Sequence, residues 1–391
     1  MRNVYIIGIG ITTFTRLEYP LYEIASYPAM EAMRDCGVTE IDHLFVANVG
    51  GGRLNRQTGL ASAVVDNLSL TPAGAETIEN GPASGASAIK TGFMAIASGM
   101  HNVVMVTGAE RMREVNTLDA TDFVATMTHP LAEQIYGVTL PSLAGMFARL
   151  YMEKYGVTER HLAMVGIKNQ NNALLNEFAH LQQEISMDGI MDSPEALTNN
   201  PYVAEPLRFF DCCPVSDGGA CVILASEEIA KKVKKPLIRI AGLGQATDVH
   251  TVHERKDPTD LLAVRSAAAQ AFKMAGVKPK DVHVAELHDA FTILEIAESE
   301  EVGFFKKGEG HLALEKGITS LKGKLPINPS GGLKGKGHPV GATGIAQVHE
   351  IVKQLRGDAG KRQVKNAKIG FTCNFGGFGN NVVCSTIIRE D

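Results

Sequence analysis

The sequence has no C-x-x-C pair, no apolar run long enough to span a membrane, and no excess of positive charge. Each absence narrows the reading. Six cysteines (Cys36, Cys212, Cys213, Cys221, Cys373 and Cys384) lie without metal-ligand spacing, which argues against a zinc ribbon and against any metal held by this chain. Their sparseness reads as reduced thiols of a cytoplasmic protein. A net charge of -5 offers nothing to nucleic acid or to an anionic membrane. The opening residues, MRNVYIIGIG, run straight into a strand pattern and carry no signal-peptide cleavage pattern. What remains is ordinary globular composition, 45% apolar and 21% charged, in 391 residues, a length that suits two domains.

The pattern along the chain is α/β. Residues 4–8 are apolar and β-branched and end at glycine, as a buried strand does. A helical spacing follows over 22–36, with Gly37 as its stop. Short strands are expected at 44–48 and 103–107, and a helix of small residues at 84–98. Strands alternating with helices predict a mostly parallel sheet covered on both faces. The order then repeats. Residues 269–286 match 30–47 at one constant offset that aligns Gly276 with Gly37 and Asp281 with Asp42. Two copies of one βαβαβ-type domain are expected, spanning 1–232 and 233–391. A long excursion over about 111–191 belongs to the first and reads as a lid over a ligand.

Three stretches carry chemistry. Gly337-His338-Pro339-Val340-Gly341-Ala342-Thr343-Gly344 sets a histidine among glycines just before a helix of small residues. The helix N-terminus offers free N–H donors, and the histidine there is placed to act as a base. Glu286-Leu287-His288-Asp289-Ala290-Phe291 follows a strand at 282–285, at the end where open α/β sheets gather ligands. His288 is read as an oxyanion donor and Asp289 as its orienter. Cys373-Asn374-Phe375-Gly376-Gly377-Phe378-Gly379-Asn380 follows a strand at 368–372. Gly376 and Gly377 would present backbone N–H groups to a ligand, and Cys373 would act as acid or base if its pKa is lowered. Each motif taken alone also fits a plain structural role.

Together the three resemble the C-terminal signatures of the thiolase superfamily. The H-D-x-F form is similar to that of the sterol-carrier-protein-type thiolases and their archaeal and bacterial relatives. Gly108-Ala109-Glu110-Arg111-Met112, Lys168-Asn169-Gln170-Asn171-Asn172-Ala173 and Asp211-Cys212-Cys213-Pro214-Val215-Ser216-Asp217-Gly218 extend the resemblance over nearly the whole chain. It implies the thiolase fold, two duplicated domains in αβαβα layering, acting on acyl-CoA and CoA. It implies catalysis by His288, His338 and Cys373, with coenzyme A as substrate and no permanently bound cofactor. CoA would thread under the excursion and meet Lys334, Lys336, Gly341 and Ala342. Residues around Phe123, Met127 and Phe147 would face the acyl group. A homodimer or tetramer formed through the sheet edge near Val103 is implied. So is a small partner with a zinc ribbon and an oligonucleotide-binding-type barrel, and neither nucleic acid nor membrane is a partner.

One position departs from the resemblance. The family's nucleophilic cysteine stands in a pattern like E-x-A-C-A-S-G, and the matching stretch is Glu79-Asn80-Gly81-Pro82-Ala83-Ser84-Gly85. Pro82 takes the cysteine's place. Proline suits the first turn of a helix but brings neither a nucleophile nor an N–H. Ser84 and Cys373 are the residues that could replace it. Three functions stay open: a thiolase-type acyltransferase on 3-oxoacyl-CoA, a retro-aldolase on a CoA thioester, and a non-catalytic acyl-CoA-binding subunit. Retained His288 and His338 favour the first.

Overall fold

The computed structural model describes residues 1–390. Among these, the strands in chain order are β1 (Val4–Ile11), β2 (His43–Ala47), β3 (Gly74–Ile78), β4 (Val103–Arg111), β5 (Tyr202–Ala204), β6 (Leu207–Arg208), β7 (Asp217–Ser226), β8 (Leu237–Thr247), β9 (Val284–Glu286), β10 (Ile369–Gly376) and β11 (Asn381–Glu390). Nine of them join in the order β3-β2-β4-β7-β1-β8-β11-β10-β9, while β5 and β6 form a separate pair. The sheet is mixed, not mostly parallel as alternation predicted. Only β2–β3, β2–β4 and β9–β10 run parallel. Pairs at the centre are antiparallel. For one pair the reason is connection length: β11 follows β10 across four residues, too few for a parallel return.

The predicted duplication is visible in this order. Strands β1, β7, β4 and β2 on one side mirror β8, β11, β10 and β9 on the other, about a single bridge between Tyr5 and Arg239. Where β3 has no strand to mirror it, Ile327 makes one parallel bridge to Ala285. Gly37 and Gly276 close equivalent helices, Leu21–Cys36 and Leu262–Ala275, with φ of +72° and +70°. That left-handed geometry favours glycine.

Layering follows from alternation along the strands. Tyr5 and Ile7 of β1 pack under Leu21–Cys36 and Leu60–Asn67. Val4 and Ile6 point the other way, to a central layer formed by helices Ser84–Ala97 and Val340–Arg356. Beyond the second half-sheet, Leu262–Ala275 and Thr292–Glu301 close the far side with the excursion's helices Leu140–Tyr155 and Glu159–Ala173. The result is the αβαβα stack. The two central helices cross with almost no room. A Cβ on Gly344 would stand 2.4 Å from the Ala86 nitrogen, and one on Gly85 would stand 2.9 Å from that of Ile345.

Two further expectations change. Val103 lies on β4, paired on both sides by β2 and β7, so the sheet edge on that side is β3. The excursion leaves the sheet after Arg111 and rejoins it only at Asp217, longer than the 111–191 read from sequence. No helix among the described residues is long and apolar enough to cross a membrane.

Candidate active site

Where the excursion meets the sheet's C-terminal strand ends there is a cavity of about 820 Å³, including its open mouth. The excursion contributes an apolar wall through Met112, Val124, Leu140 and Pro141. The second half contributes His288, Phe375 and Phe378, and the central layer contributes Pro82, His338 and Val340. His288 and His338, fifty residues apart in sequence, meet edge to face with ring centroids 5.0 Å apart.

Their hydrogen bonds fix opposite tautomers. The Phe375 N–H points at His288 Nδ1 at 3.3 Å, and the Asn374 side-chain nitrogen lies 3.1 Å from the same atom. Two donors converging on Nδ1 make it an acceptor, so the ring hydrogen sits on Nε2. Phe375 also stacks on the ring at 5.2 Å, with the two ring planes nearly parallel. His338 is arranged the other way. Its Nδ1 lies 2.7 Å from Thr343 Oγ1, and that hydroxyl donates to the Pro339 carbonyl at 3.0 Å. The hydroxyl hydrogen is thereby used, Nδ1–H donates to Oγ1, and Nε2 keeps a lone pair. Burial holds both rings uncharged. It pushes His338 down to about 3, helped by the nearby Lys336 ammonium, and pushes His288 well below its ordinary value, helped by His338. One cavity thus holds a neutral N–H donor beside a neutral base.

Behind this pair stand buried acids that sequence reasoning did not single out as site residues. Glu110 accepts from the backbone N–H of Gly50 (2.7 Å), Val49 (3.2 Å) and Gly341 (3.0 Å) and from Asn48 Nδ2 (3.0 Å). It ties β4 to the turn that carries His338, and burial lifts its pKa to about 7. Glu298 accepts the His288 backbone N–H at 2.9 Å, and burial raises its pKa well above the ordinary carboxyl range. Asp289, expected to orient His288, is turned elsewhere. It accepts from Asn169 Nδ2 and from the Leu333 N–H, both at 2.6 Å. For Glu110 no spacing signal existed, because its partners Asn48, Val49, Gly50 and Gly341 come from distant segments, and nothing in the sequence marks Glu298.

The other expected residues scatter. Pro82 lines the cavity at the start of helix Ser84–Ala97, and Gly377 lines it opposite. Gly376 ends β10 and opens on a neighbouring cavity. Ser84 is buried, accepts from the Asn80 N–H at 2.8 Å and donates to the Gly81 carbonyl at 2.6 Å, so its hydroxyl is fully engaged. Cys373 is fully buried on the face of β10 that carries Phe375, and is not among the described residues lining the cavity. Burial, Cys384 and Glu298 push its thiol up rather than down. Cys212 and Cys213 do line the cavity, although sequence gave them no role. Burial raises the Cys213 thiol to about 12, and the Cys212 thiol donates to the Arg208 carbonyl at 3.7 Å.

The residues expected to meet CoA are engaged within the chain. Lys334 and Lys336 are each 1% exposed. Lys334 donates to Gln170 Oε1 at 3.0 Å, and burial lowers its pKa to about 8. Lys336 lies 3.5 Å from Glu286. Neither reaches solvent. The Gly341 N–H is bound by Glu110 and the Ala342 N–H by the Pro339 carbonyl, so both are closed to a ligand. Phe123 and Met127 face the neighbouring cavity, while Phe147 packs in the core against Phe378. Among the described residues, no group of three or more His, Cys, Asp or Glu side chains is arranged to hold a metal.

Comparison with known proteins places the whole chain in one family. Residues 4–228 match the family "Thiolase, N-terminal domain" and residues 244–389 match "Thiolase C-terminal domain-like". An acetyl-CoA acetyltransferase of Methanothermobacter thermautotrophicus is 41% identical over the full length of both chains. The benzoylsuccinyl-CoA thiolase subunit BbsB of Thauera aromatica is 33% identical over 93% of this chain and 92% of its own. Among solved structures, the Ltp2-ChsH2(DUF35) aldolase superposes with a TM-score of 0.85 at 25% identity, covering 99% of this chain and 98% of that one.

Proposed function

Because the chain belongs to the thiolase superfamily, we propose that it makes or breaks the carbon–carbon bond beside the carbonyl of a CoA thioester, as a thiolase-type acyltransferase that forms no acyl-enzyme. The observation that carries this is the histidine pair, donor and base in opposite tautomers within one cavity. In the cleavage direction, His338 Nε2 takes the proton of the CoA thiol. The thiolate adds to the 3-oxo carbonyl of a 3-oxoacyl-CoA, and the C2–C3 bond breaks. Its electron pair passes into an enolate whose oxygen is held by His288 Nε2–H. The His338 imidazolium then protonates the enolate carbon, giving two thioesters and a neutral base. A preorganised donor of this kind is worth about 3 kcal/mol in a transition state. Pro82 contributes shape at the position that the resemblance gives to a nucleophile.

A second reading has its own support. Pro82, the engaged Ser84 and the enclosed Cys373 leave no activated nucleophile, and retro-aldol cleavage needs none. There His338 would take the proton of a 3-hydroxyl group, and the same enolate would form on His288. Partner assembly belongs to the proposal as well: a homodimer or tetramer, with a small zinc-ribbon and oligonucleotide-binding-type partner. A structural neighbour named for two components and a relative named as a subunit support it. So do Leu131, Ile135, Tyr136 and Met146, apolar side chains that the excursion exposes.

Incubation with matched 3-oxoacyl-CoA and 3-hydroxyacyl-CoA panels, with and without free CoA, tests the proposal by product mass. Two thioesters that appear only with free CoA support acyl transfer. A thioester with a free aldehyde or ketone selects the aldol reading. No product with either panel or partner contradicts both.

A further inference from the structure

The two free ring atoms of the histidine cavity, the donor on His288 and the lone pair on His338, have little polar company. Among the described residues lining this cavity none is charged. Beyond the histidines, its polar side chains are Thr121, Cys212 and Cys213. Two of these are spent within the chain. The Thr121 hydroxyl donates to the Thr117 carbonyl at 2.8 Å, one turn back on helix Thr117–Ala125, and the Cys212 thiol donates to the Arg208 carbonyl. The Cys213 thiol, pushed up to about 12 by burial, stays neutral and is a weak donor. Hydrocarbon makes up the bulk of the wall, with Val124 and Leu140 from the excursion and Phe291, Leu294, Phe375 and Phe378 from the second half.

This inventory divides a CoA thioester in two. At the reacting bond, one carbonyl oxygen and one thiol or hydroxyl proton use both free ring atoms. The pantetheine arm carries amides and a hydroxyl, which would find no partner on such a wall, and a buried polar group without a partner costs affinity. Pantetheine therefore leaves through the open mouth, and the acyl arm is left to the hydrocarbon. There an apolar arm gains affinity with each carbon it takes out of water. An arm ending in a carboxylate loses its water and meets no cation in return.

We propose that the histidine cavity selects an acyl arm that is uncharged hydrocarbon beyond the reacting carbons, branched or aromatic and larger than acetyl, and that it rejects an arm ending in a carboxylate. The proposal rests on the reading of the histidine pair given above, and adds to it the class of acyl group.

The test is calorimetric binding of non-cleavable ketone analogues to the full chain, in which the CoA sulfur carries a CH2–CO–R group. R is methyl, isobutyl, phenyl or carboxyethyl. The isobutyl and phenyl analogues are expected to bind about 30-fold tighter than the methyl analogue, and the carboxyethyl analogue no tighter than the methyl. Two variants place the arm. Thr121→Lys, at a half-buried position on the cavity wall, should tighten carboxyethyl binding at least about tenfold without tightening phenyl. Val124→Phe narrows the cavity and should weaken phenyl about tenfold while leaving methyl within about threefold. A carboxyethyl analogue that matches phenyl on the parent, a methyl analogue that does so, or an order unchanged in both variants overturns the proposal. None of these analogues reacts, so their order reports on the acyl group, whereas the product masses described above report on the reaction. Failure of all four to bind overturns the CoA-thioester reading together with the proposal.

Discussion

Replacing Glu110 should both destabilise the protein and displace its base. Four hydrogen bonds converge on this buried carboxyl, three from backbone N–H groups of Val49, Gly50 and Gly341 and one from Asn48. Glu110→Ala leaves those donors facing an empty space. Each unsatisfied buried donor costs about 1–3 kcal/mol. Some water will enter, so a total of about 4 kcal/mol is expected. Glu110→Gln keeps the shape and one acceptor oxygen, but turns an NH2 toward two N–H groups, and should cost about 2–3 kcal/mol. The sign with pH follows from the raised pKa. Between about 4.5 and about 7 the native state holds a proton that the unfolded chain releases, so this residue's contribution to stability grows as pH falls through that window. Glu110→Gln removes the trend. Because Gly341 opens the turn after His338, kcat should fall more than KM rises. Urea unfolding from pH 4.5 to 7.5, with kcat and KM on the best substrate, measures all three. Stability of Glu110→Ala within about 1 kcal/mol of the parent would refute the reasoning.

Other predictions follow from the same contacts. His338 is neutral down to about pH 3, so kcat/KM should show no acid limb near 6.5; a limb there would mean a solvated histidine. The unfolded chain protonates this histidine near 6.5 and the native state near 3, so its contribution to stability is lost as pH falls through that interval. His338→Asn should therefore flatten the stability curve between pH 6 and 4.5 by about 1.4 kcal/mol per pH unit, read by urea titration. Gly344→Ala drives a methyl to 2.3 Å from Asn374 Oδ1 and 2.4 Å from the Ala86 nitrogen, and should lower stability by about 1–3 kcal/mol in thermal unfolding. Lys336→Met should change stability while leaving CoA affinity within about twofold, measured by calorimetry, because the ammonium is buried against Glu286.

Local patterns carried much of this architecture. Gly37 and Gly276 are helix stops in sequence and left-handed caps in the structure, and the offset they share marks the duplication. His288 and His338 could be singled out because each sits among turn residues at the end of an element. What local pattern cannot carry is the partner across space. The antiparallel centre depends on β7 returning from a long excursion to lie between β4 and β1. The resemblance puts Lys334 and Lys336 beside CoA, in a stretch rich in glycine. Those glycines instead let the short helix Gly332–Lys336 sink against Ala173 and Asn169, where a Cβ on Gly335 would stand 2.8 Å from each. Cys373, expected just after a strand that ends at 372, lies inside the longer β10, and Phe375, two residues on and on the same face, lies over His288 and lines the cavity in its place.

The central claim is carbon–carbon bond chemistry without an acyl-enzyme, and rapid-quench intact-protein mass spectrometry during turnover tests it most directly. Pro82→Cys is run beside the parent as a sample able to trap an acyl group. The account predicts product from the parent with no mass shift at any time, and a transient acyl mass on Pro82→Cys. A kinetically competent acyl adduct on the parent, mapped to Cys212, Cys213, Cys373 or Ser84, would contradict it.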